Sequence, residues 1–225
     1  MVNHGPRVPW SKLLWNSYVP PTRAFVTWRF LHNKLPTDEN LWLRGCTIVS
    51  ICCFCNLNSE STVHIFLECP ITSQLWTWLA KGSDQHIDLS SGINLVLGSN
   101  RNGSKLVKKV MNAAIIHIIW SIWLERNARY FNSQQTSMST LFHGILAEVQ
   151  LSFKLSLVKG SSQMTDYKIS RLFGIPLKAS RIITVQEVNW TPPPDNTIKF
   201  NCVQLWGIPL MVLSVLWSET LTALS

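Results

Sequence analysis

Charge is scarce in this chain, and negative charge is the scarcer kind. Asp, Glu, Lys and Arg make up 14% of its 225 residues, with 12 acids against 20 bases. So little charge is low for a chain that must stay soluble alone, and it implies apolar surface that expects a partner. The imbalance is sharpest at the start. Up to Cys46 there are Arg7, Lys12, Arg23, Arg29, Lys34 and Arg44 but only Asp38 and Glu39, which sets up a positive field that favours phosphate backbones. Long apolar runs are lacking too. Val110 to Leu124 is fifteen residues with Asn112, His117 and Ser121 inside it, and Leu205 to Trp217 is broken by Gly207 and Pro209. A membrane span needs about 20 predominantly apolar residues, so the first reads as a buried core helix and neither as an anchor. MVNHGPRVPW has no apolar signal region, which predicts reduced thiols and a nuclear or cytoplasmic location rather than secretion. A phosphate-binding loop is missing as well, because GSNRNGSK (98–105) lacks the required spacing.

What is abundant is tryptophan, eleven of them, and cysteine, six. Four residues carry the chemistry. Cys52, Cys55, His64 and Cys69 fall as CxxC, eight intervening residues, then HxxxxC within CCFCNLNSESTVHIFLEC. Three thiolates and one imidazole close a tetrahedral shell around a single Zn²⁺ and leave no position open for substrate, so the ion would hold a fold rather than do chemistry. Cys53 could replace Cys52 only by shortening the loop to CxC, and it and Cys46 are assigned as free thiols. Either thiol could be drawn with His32 or His64 as a nucleophile and base, but no oxyanion motif accompanies them. His117, on an apolar helix, reads as a satisfied core histidine.

The periodicity predicts a mainly helical chain. Pro20 and Pro21 open a helix over RAFVTWRFLHNKL, where Phe25, Trp28, Leu31 and Leu35 recur at three- and four-residue steps as its apolar face. Pro36 ends it, and Thr37 caps a short helix in DENLWLRG that stops at Gly45. Pro70 to Leu79 is predicted helical, with Ile71, Leu75 and Trp78 or Leu79 packing beside the metal. Residues 81–104, rich in Gly, Ser, Asn and Asp, read as a loop. A long helix is predicted from Lys105 to Asn132. A second helix carries Leu141, Ile145, Val149, Phe153 and Leu157 at four-residue steps, and the two form a hairpin. A short helix is predicted over Asp166 to Gly174, and Ile198, Phe200 and Cys202 alternate as a strand.

Residues 10–45 (WSKLLWNSYVPPTRAFVTWRFLHNKLPTDENLWLRG), the CxxC with ESTVHIFLECP (52–70) and LWTWL (75–79) together resemble the zinc-binding region that follows the reverse transcriptase domain of plant LINE-type non-LTR retrotransposons. IIWSIWLERNARYF (118–131) resembles the segment that joins this region to a ribonuclease H domain, and Trp190, Pro192, Pro193, Lys199 and Asn201 resemble the start of that domain. The resemblance carries the family's zinc ligands onto Cys52, Cys55, His64 and Cys69. The polymerase does not carry over, since no YxDD-type carboxylate pair stands in the chain. The Asp-Gly of the ribonuclease H start is also absent: Cys202 is followed by Val203 and Gln204. Hybrid cleavage needs several carboxylates on two divalent cations, and after Trp190 only Asp195 and Glu219 are offered. Read two nucleotides later, a back-translation of Val203 to Pro209 permits residues of that family, so the tail is expected to be a frameshifted translation.

These readings combine into one expectation. The fold is mainly α: a zinc-nucleated helical domain (1–80), a loop (81–104), a helical hairpin (105–158), a linker (159–189) and a truncated, frameshifted β stub of a ribonuclease H-like α/β domain (190–225). The function expected is non-catalytic, with structural Zn²⁺ and affinity for RNA or single-stranded DNA through Arg23, Arg29, Lys34, Arg44, Trp28 and Trp42. The competing reading of Trp28 and Trp42 packs both rings on the knuckle as core. A module docking on the polymerase domain of the parent element is the alternative function, and a residual ribonuclease H is disfavoured by its missing carboxylates. No membrane partner is expected.

Overall fold

A computed structural model describes residues 8–98, 103–154, 164–176, 203–205 and 208–210. The chain divides into two compact units, Met1–Ile182 and Ile183–Ser225.

The first unit is built around one helix. Helices α1 (Ser11–Leu14), α2 (Pro21–Leu31) and α3 (Asp38–Trp42) precede a single π-helical turn, His64–Glu68. Then follow α4 (Ser73–Ser83), α5 (Gly92–Gly98), α6 (Lys105–Asn132), α7 (Met138–Lys154) and α8 (Met164–Phe173). The predicted limits of α6 hold because its ends carry stop signals. Ser104 sits in extended backbone, and its hydroxyl accepts from the Val107 amide at 3.2 Å, while Ser133 turns into the left-handed region at φ 52° to close the other end. From Val110 to Ile119 every side chain of α6 is buried. A helix that is apolar all round must be enclosed on every side. Here α2, α5, α7, α8 and the π turn all pack on it. By length and composition α6 could cross a membrane, yet 78% of its most apolar window is buried within the fold.

Helix α7 joins α6 as the predicted hairpin, burying Ile145, Val149 and Phe153. The zinc region and this hairpin thus share one unit. His117 is a fully buried core histidine, its Nε2 3.0 Å from the Ser152 hydroxyl. Because the Ser152 hydroxyl itself donates to the Glu148 carbonyl, the ring nitrogen donates to Ser152, and Nδ1 has no partner.

Five local expectations need correction. Helix α2 ends at Leu31 rather than at Pro36, and its apolar face is rotated by about one residue from the one predicted: Ala24, Val26, Thr27 and Phe30 are buried, Phe25 is 49% exposed and Trp28 and Leu31 are half-buried, while Leu35, beyond the helix, is buried as expected. This face packs on α6, and Thr27 satisfies its hydroxyl on the Arg23 carbonyl at 3.0 Å. At α3 the cap is not Thr37, whose side chain makes no capping bond. Glu60 does that work, its carboxylate accepting the Asp38 amide at 3.1 Å and its carbonyl accepting the Glu39 amide at 3.2 Å. Helix α4 starts at Ser73, after Thr72 folds its hydroxyl onto the Ile65 carbonyl at 2.7 Å. The stretch 81–104 is not wholly loop, since it holds the end of α4 and all of α5. The short helix predicted over Asp166 to Gly174 is present as α8, beginning two residues earlier at Met164 and ending at Phe173.

In the second unit the described residues form one antiparallel pair, β1 (Val203–Leu205) and β2 (Ile208–Leu210), with Val203 opposite Leu210 and Leu205 opposite Ile208. The strand expected over Ile198 to Cys202 lies outside the described residues. So do Trp190, Pro192, Pro193, Asp195, Lys199, Asn201 and Glu219.

Candidate metal centre

The four sequence-predicted donors converge. The Sγ atoms of Cys52, Cys55 and Cys69 and a ring nitrogen of His64 lie within 4.8 Å of one another. Cys52 Sγ stands 3.9 Å from Cys69 Sγ, and Cys55 Sγ stands 3.3 Å from His64 Nε2. Zn–S bonds of about 2.3 Å at tetrahedral angles set sulfurs about 3.8 Å apart, so the spacing suits one ion.

Local backbone explains how the chain delivers the donors. The Cys52 carbonyl accepts the Asn56 amide at 2.9 Å and the Cys52 amide donates to the Asn58 carbonyl at 2.7 Å, which folds CCFCNLN into a knuckle. Asn56 takes the left-handed conformation at φ 56° that this knuckle requires. His64 and Cys69 are five residues apart. In an α-helix of 3.6 residues per turn that separation overshoots one turn by about 140° and parts the two side chains. The π turn solves this, since its i→i+5 bond, Cys69 amide to His64 carbonyl at 2.7 Å, brings the fifth residue back toward the first. The turn starts from Ser61, whose hydroxyl accepts the His64 amide at 2.9 Å.

Backbone amides face the sulfurs. Those of Phe54 and Cys55 point at Cys52, and those of Thr72 and Ile71 at Cys69. The hydrogen bond from the Cys52 thiol is the largest influence on Cys69 and holds it down to about 5, against the opposing effect of burial. Cys52 is pushed the other way, first by that same bond and then by burial. Two thiolates this close repel unless a cation lies between them, which is the chemistry of a metal site.

Cys53 points away from this cluster, its Sγ 4.0 Å from the Arg126 carbonyl. Burial above all, and then the Glu60 charge, raises its thiol to about 11. A thiol so protonated is neither ligand nor nucleophile at neutral pH. Cys46 is exposed and outside the cluster.

The end of α6 clasps the knuckle from behind. Arg129 donates to the Cys53 carbonyl at 3.3 Å, pairs with Glu125 at 2.7 Å and covers the Phe54 ring at 4.8 Å. Arg126, fully buried, reaches both Glu60 and Asp38. The sequence reading did not find this triad. Its only signal was an Arg following the apolar stretch of a long helix, with one acid ahead of the knuckle and one between the two pairs of ligands.

The six residues expected to meet nucleic acid stand in different settings. Arg23 is engaged by Glu148 at 2.8 Å. Arg29 donates to the Lys34 carbonyl at 3.2 and 2.8 Å, and the Lys34 side chain is exposed. Trp28 is half-buried, between Phe25 and His32. Trp42, at the end of α3, is 67% exposed, and Arg44 two residues on is exposed too. Trp42 is therefore not core, contrary to the competing reading.

Residues 1–76 match the family described as zinc-binding in reverse transcriptase. The matched stretch holds all four donors and ends within α4. No curated protein and no solved structure matches the chain. The family match and the Cys₃His cluster together assign a structural zinc to this site.

Proposed function

We propose that this chain is a non-catalytic, zinc-organised part of a retroelement reverse transcriptase polyprotein, of plant LINE type, that binds RNA or single-stranded DNA. The observation that carries the reading is the closed donor set inside the matched stretch: four protein ligands fill a tetrahedral zinc and leave none for substrate. The bias of charge supports the ligand class, since the first acid in the chain is Asp38 and five bases precede it. The chain is proposed to act in the nucleus or cytoplasm. Its tail after Cys202 is proposed to be a frameshifted ribonuclease H start, which sequencing of the transcript across Cys202 tests.

The experiment is retention of a labelled oligonucleotide by the full chain carrying one equivalent of zinc. Binding at low ionic strength that falls steeply with added salt supports the reading. Absence of binding at low ionic strength overturns it.

A second reading is docking on a polymerase domain. Leu43 and Val49, which precede the knuckle in sequence, and Leu57 within it are each at least 66% exposed, apolar side chains that a partner would cover. Co-purification with that domain, abolished by Val49→Asp, supports it.

A further inference from the structure

A row of rings runs along the outer surface of α2, and the fold buries only part of it. Phe25 and Trp28 stack at 5.7 Å with their planes 13° apart, Trp28 meets His32 at 4.8 Å, and His32 meets Trp10 at 5.4 Å. Trp10 is buried at one end, but Phe25 is half exposed and His32 exposed. The core accounts for Phe30, which faces inward against Phe66 at 4.8 Å. On the other side of the same helix Trp28 packs only partly against the core, and Phe25 is left 49% exposed. Leaving a large apolar ring half in water forfeits the burial that would favour it inside, so the position calls for an occupant.

Charge narrows what that occupant is. The 37 residues before Asp38 contain no acid, and Arg29 directly follows Trp28 in the chain while Lys34 comes two residues after His32. The Arg29 guanidinium holds the Lys34 carbonyl, and Lys34 itself is exposed. A flat π surface flanked by cations is complementary to unpaired bases on a phosphate backbone, because bases stack on aromatic faces without regard to sequence while cations follow the phosphates. We infer that the outer face of α2, Phe25 and Trp28 with His32, Arg29 and Lys34, is a stacking platform for single-stranded nucleic acid. This rests on the nucleic-acid reading above and gives it a place. It also adds Phe25 and His32 to the residues expected from sequence, and it removes Arg23, which Glu148 holds.

The test uses the zinc-loaded full chain with fluorescent oligo-U and oligo-dT of equal length, and a duplex of the same length as the third arm. Phe25→Ala is expected to weaken both single strands about five-fold or more. Phe25→Leu, which keeps bulk but not the π face, is expected to do the same, and Leu151→Ala, an exposed apolar change on α7, is expected to do nothing. Lys34→Gln is expected to flatten the salt dependence. Photo-cross-linking with 4-thiouridine is expected to label the tryptic peptide 24–29, which carries both rings. Preference for RNA over DNA would show that the sugar hydroxyl is also read, and equal binding would show stacking and charge alone. If the wild type binds but Phe25→Ala and Phe25→Leu bind equally well, this surface is not the site and only this inference falls. If Phe25→Leu alone keeps full binding, the contact is apolar rather than stacked and a protein surface becomes the better occupant. If the wild type binds no single strand at all, the underlying reading falls as well.

Discussion

Arg126 closes on Glu60, 66 positions upstream, with Nε 3.1 Å from each carboxylate oxygen and Nη2 2.6 Å from Oε1. Nη2 also reaches Asp38 Oδ1 at 3.3 Å, and all three side chains are at most 2% exposed. Trp123 and Tyr130 stand against the guanidinium at 5.4 and 4.2 Å. Glu60 in turn caps α3 and stands between the two pairs of zinc ligands in sequence. The triad therefore ties α6 to both sides of the metal region.

Removing the arginine is expected to be costly, because two buried carboxylates would face each other without a counter-charge. Arg126→Met should lower unfolding free energy by about 3–5 kcal/mol. Arg126→Lys should recover little, since one ammonium cannot reproduce the fork that spans two acids. Glu60→Gln should cost more than Asp38→Asn, as Glu60 makes most of the guanidinium contacts and Asp38 leaves Oδ2 without a partner. Denaturant titration of the four variants checks the order. An Arg126→Met chain as stable as wild type would remove the triad from the account of the fold.

Zinc is expected to be a condition of order in the first 80 residues. Its binding free energy, about 10–16 kcal/mol in small zinc domains, is folding free energy when the site does not exist unfolded. Cys69→Ser and His64→Ala should each abolish stoichiometric zinc in the purified chain and lower its helicity, and a strong chelator should do the same to the wild type. Cys53→Ser and Cys46→Ser should keep one zinc per chain. Elemental analysis with circular dichroism reads both. A chain free of metal and unchanged in helicity would sink the assignment.

What was legible in the sequence was whatever a local signal encodes. The ligand spacing survives because a knuckle and a π turn are each closed by bonds within a few residues. The ends of α6 survive because Ser104 and the polar run after Asn132 are local too. The inner face of α2 was misread because two apolar registers run along the same helix, and the three- and four-residue steps of Phe25, Trp28 and Leu31 do not distinguish theirs from the one that carries Val26 and Phe30. The triad was not legible because its partners are 66 and 88 positions apart, and nothing local distinguishes a buried acid from a solvated one.

Two left-handed positions separate backbone strain from side-chain function. Ser133 at φ 52° ends α6 with an exposed side chain, and a non-glycine residue there carries a conformational penalty of about 1 kcal/mol. Ser133→Gly is expected to be neutral to slightly stabilising. Asn33 at φ 49° differs, because its Oδ1 accepts from Thr62 at 2.6 Å and Asn40 at 2.9 Å. Asn33→Gly relieves the same strain but strips both bonds, and should lower the melting temperature. Equal effects at the two sites would show that the Asn33 network contributes nothing.

Acid should act on the core through His117. Burial is the main reason its folded pKa is lowered to about 3, with the Arg23 charge adding to it, while an unfolded chain titrates near the ordinary 6.5. Between those values the unfolded chain binds a proton that the folded chain refuses, so stability falls as pH falls. The loss begins near pH 6.5 and runs at about 1.4 kcal/mol per pH unit toward pH 3. Above pH 6.5 both states hold the ring neutral and the contribution is flat. Zinc release also destabilises in acid, so the measurement is a difference. Unfolding free energy of the wild type and of His117→Gln, which keeps a donor for Ser152, is compared between pH 7 and pH 5.5 at saturating zinc. The wild type should fall more steeply by about one proton's slope once below pH 6.5. Parallel curves would mean that the folded chain protonates His117 as easily as the unfolded one, and the histidine would then have to be reached by water.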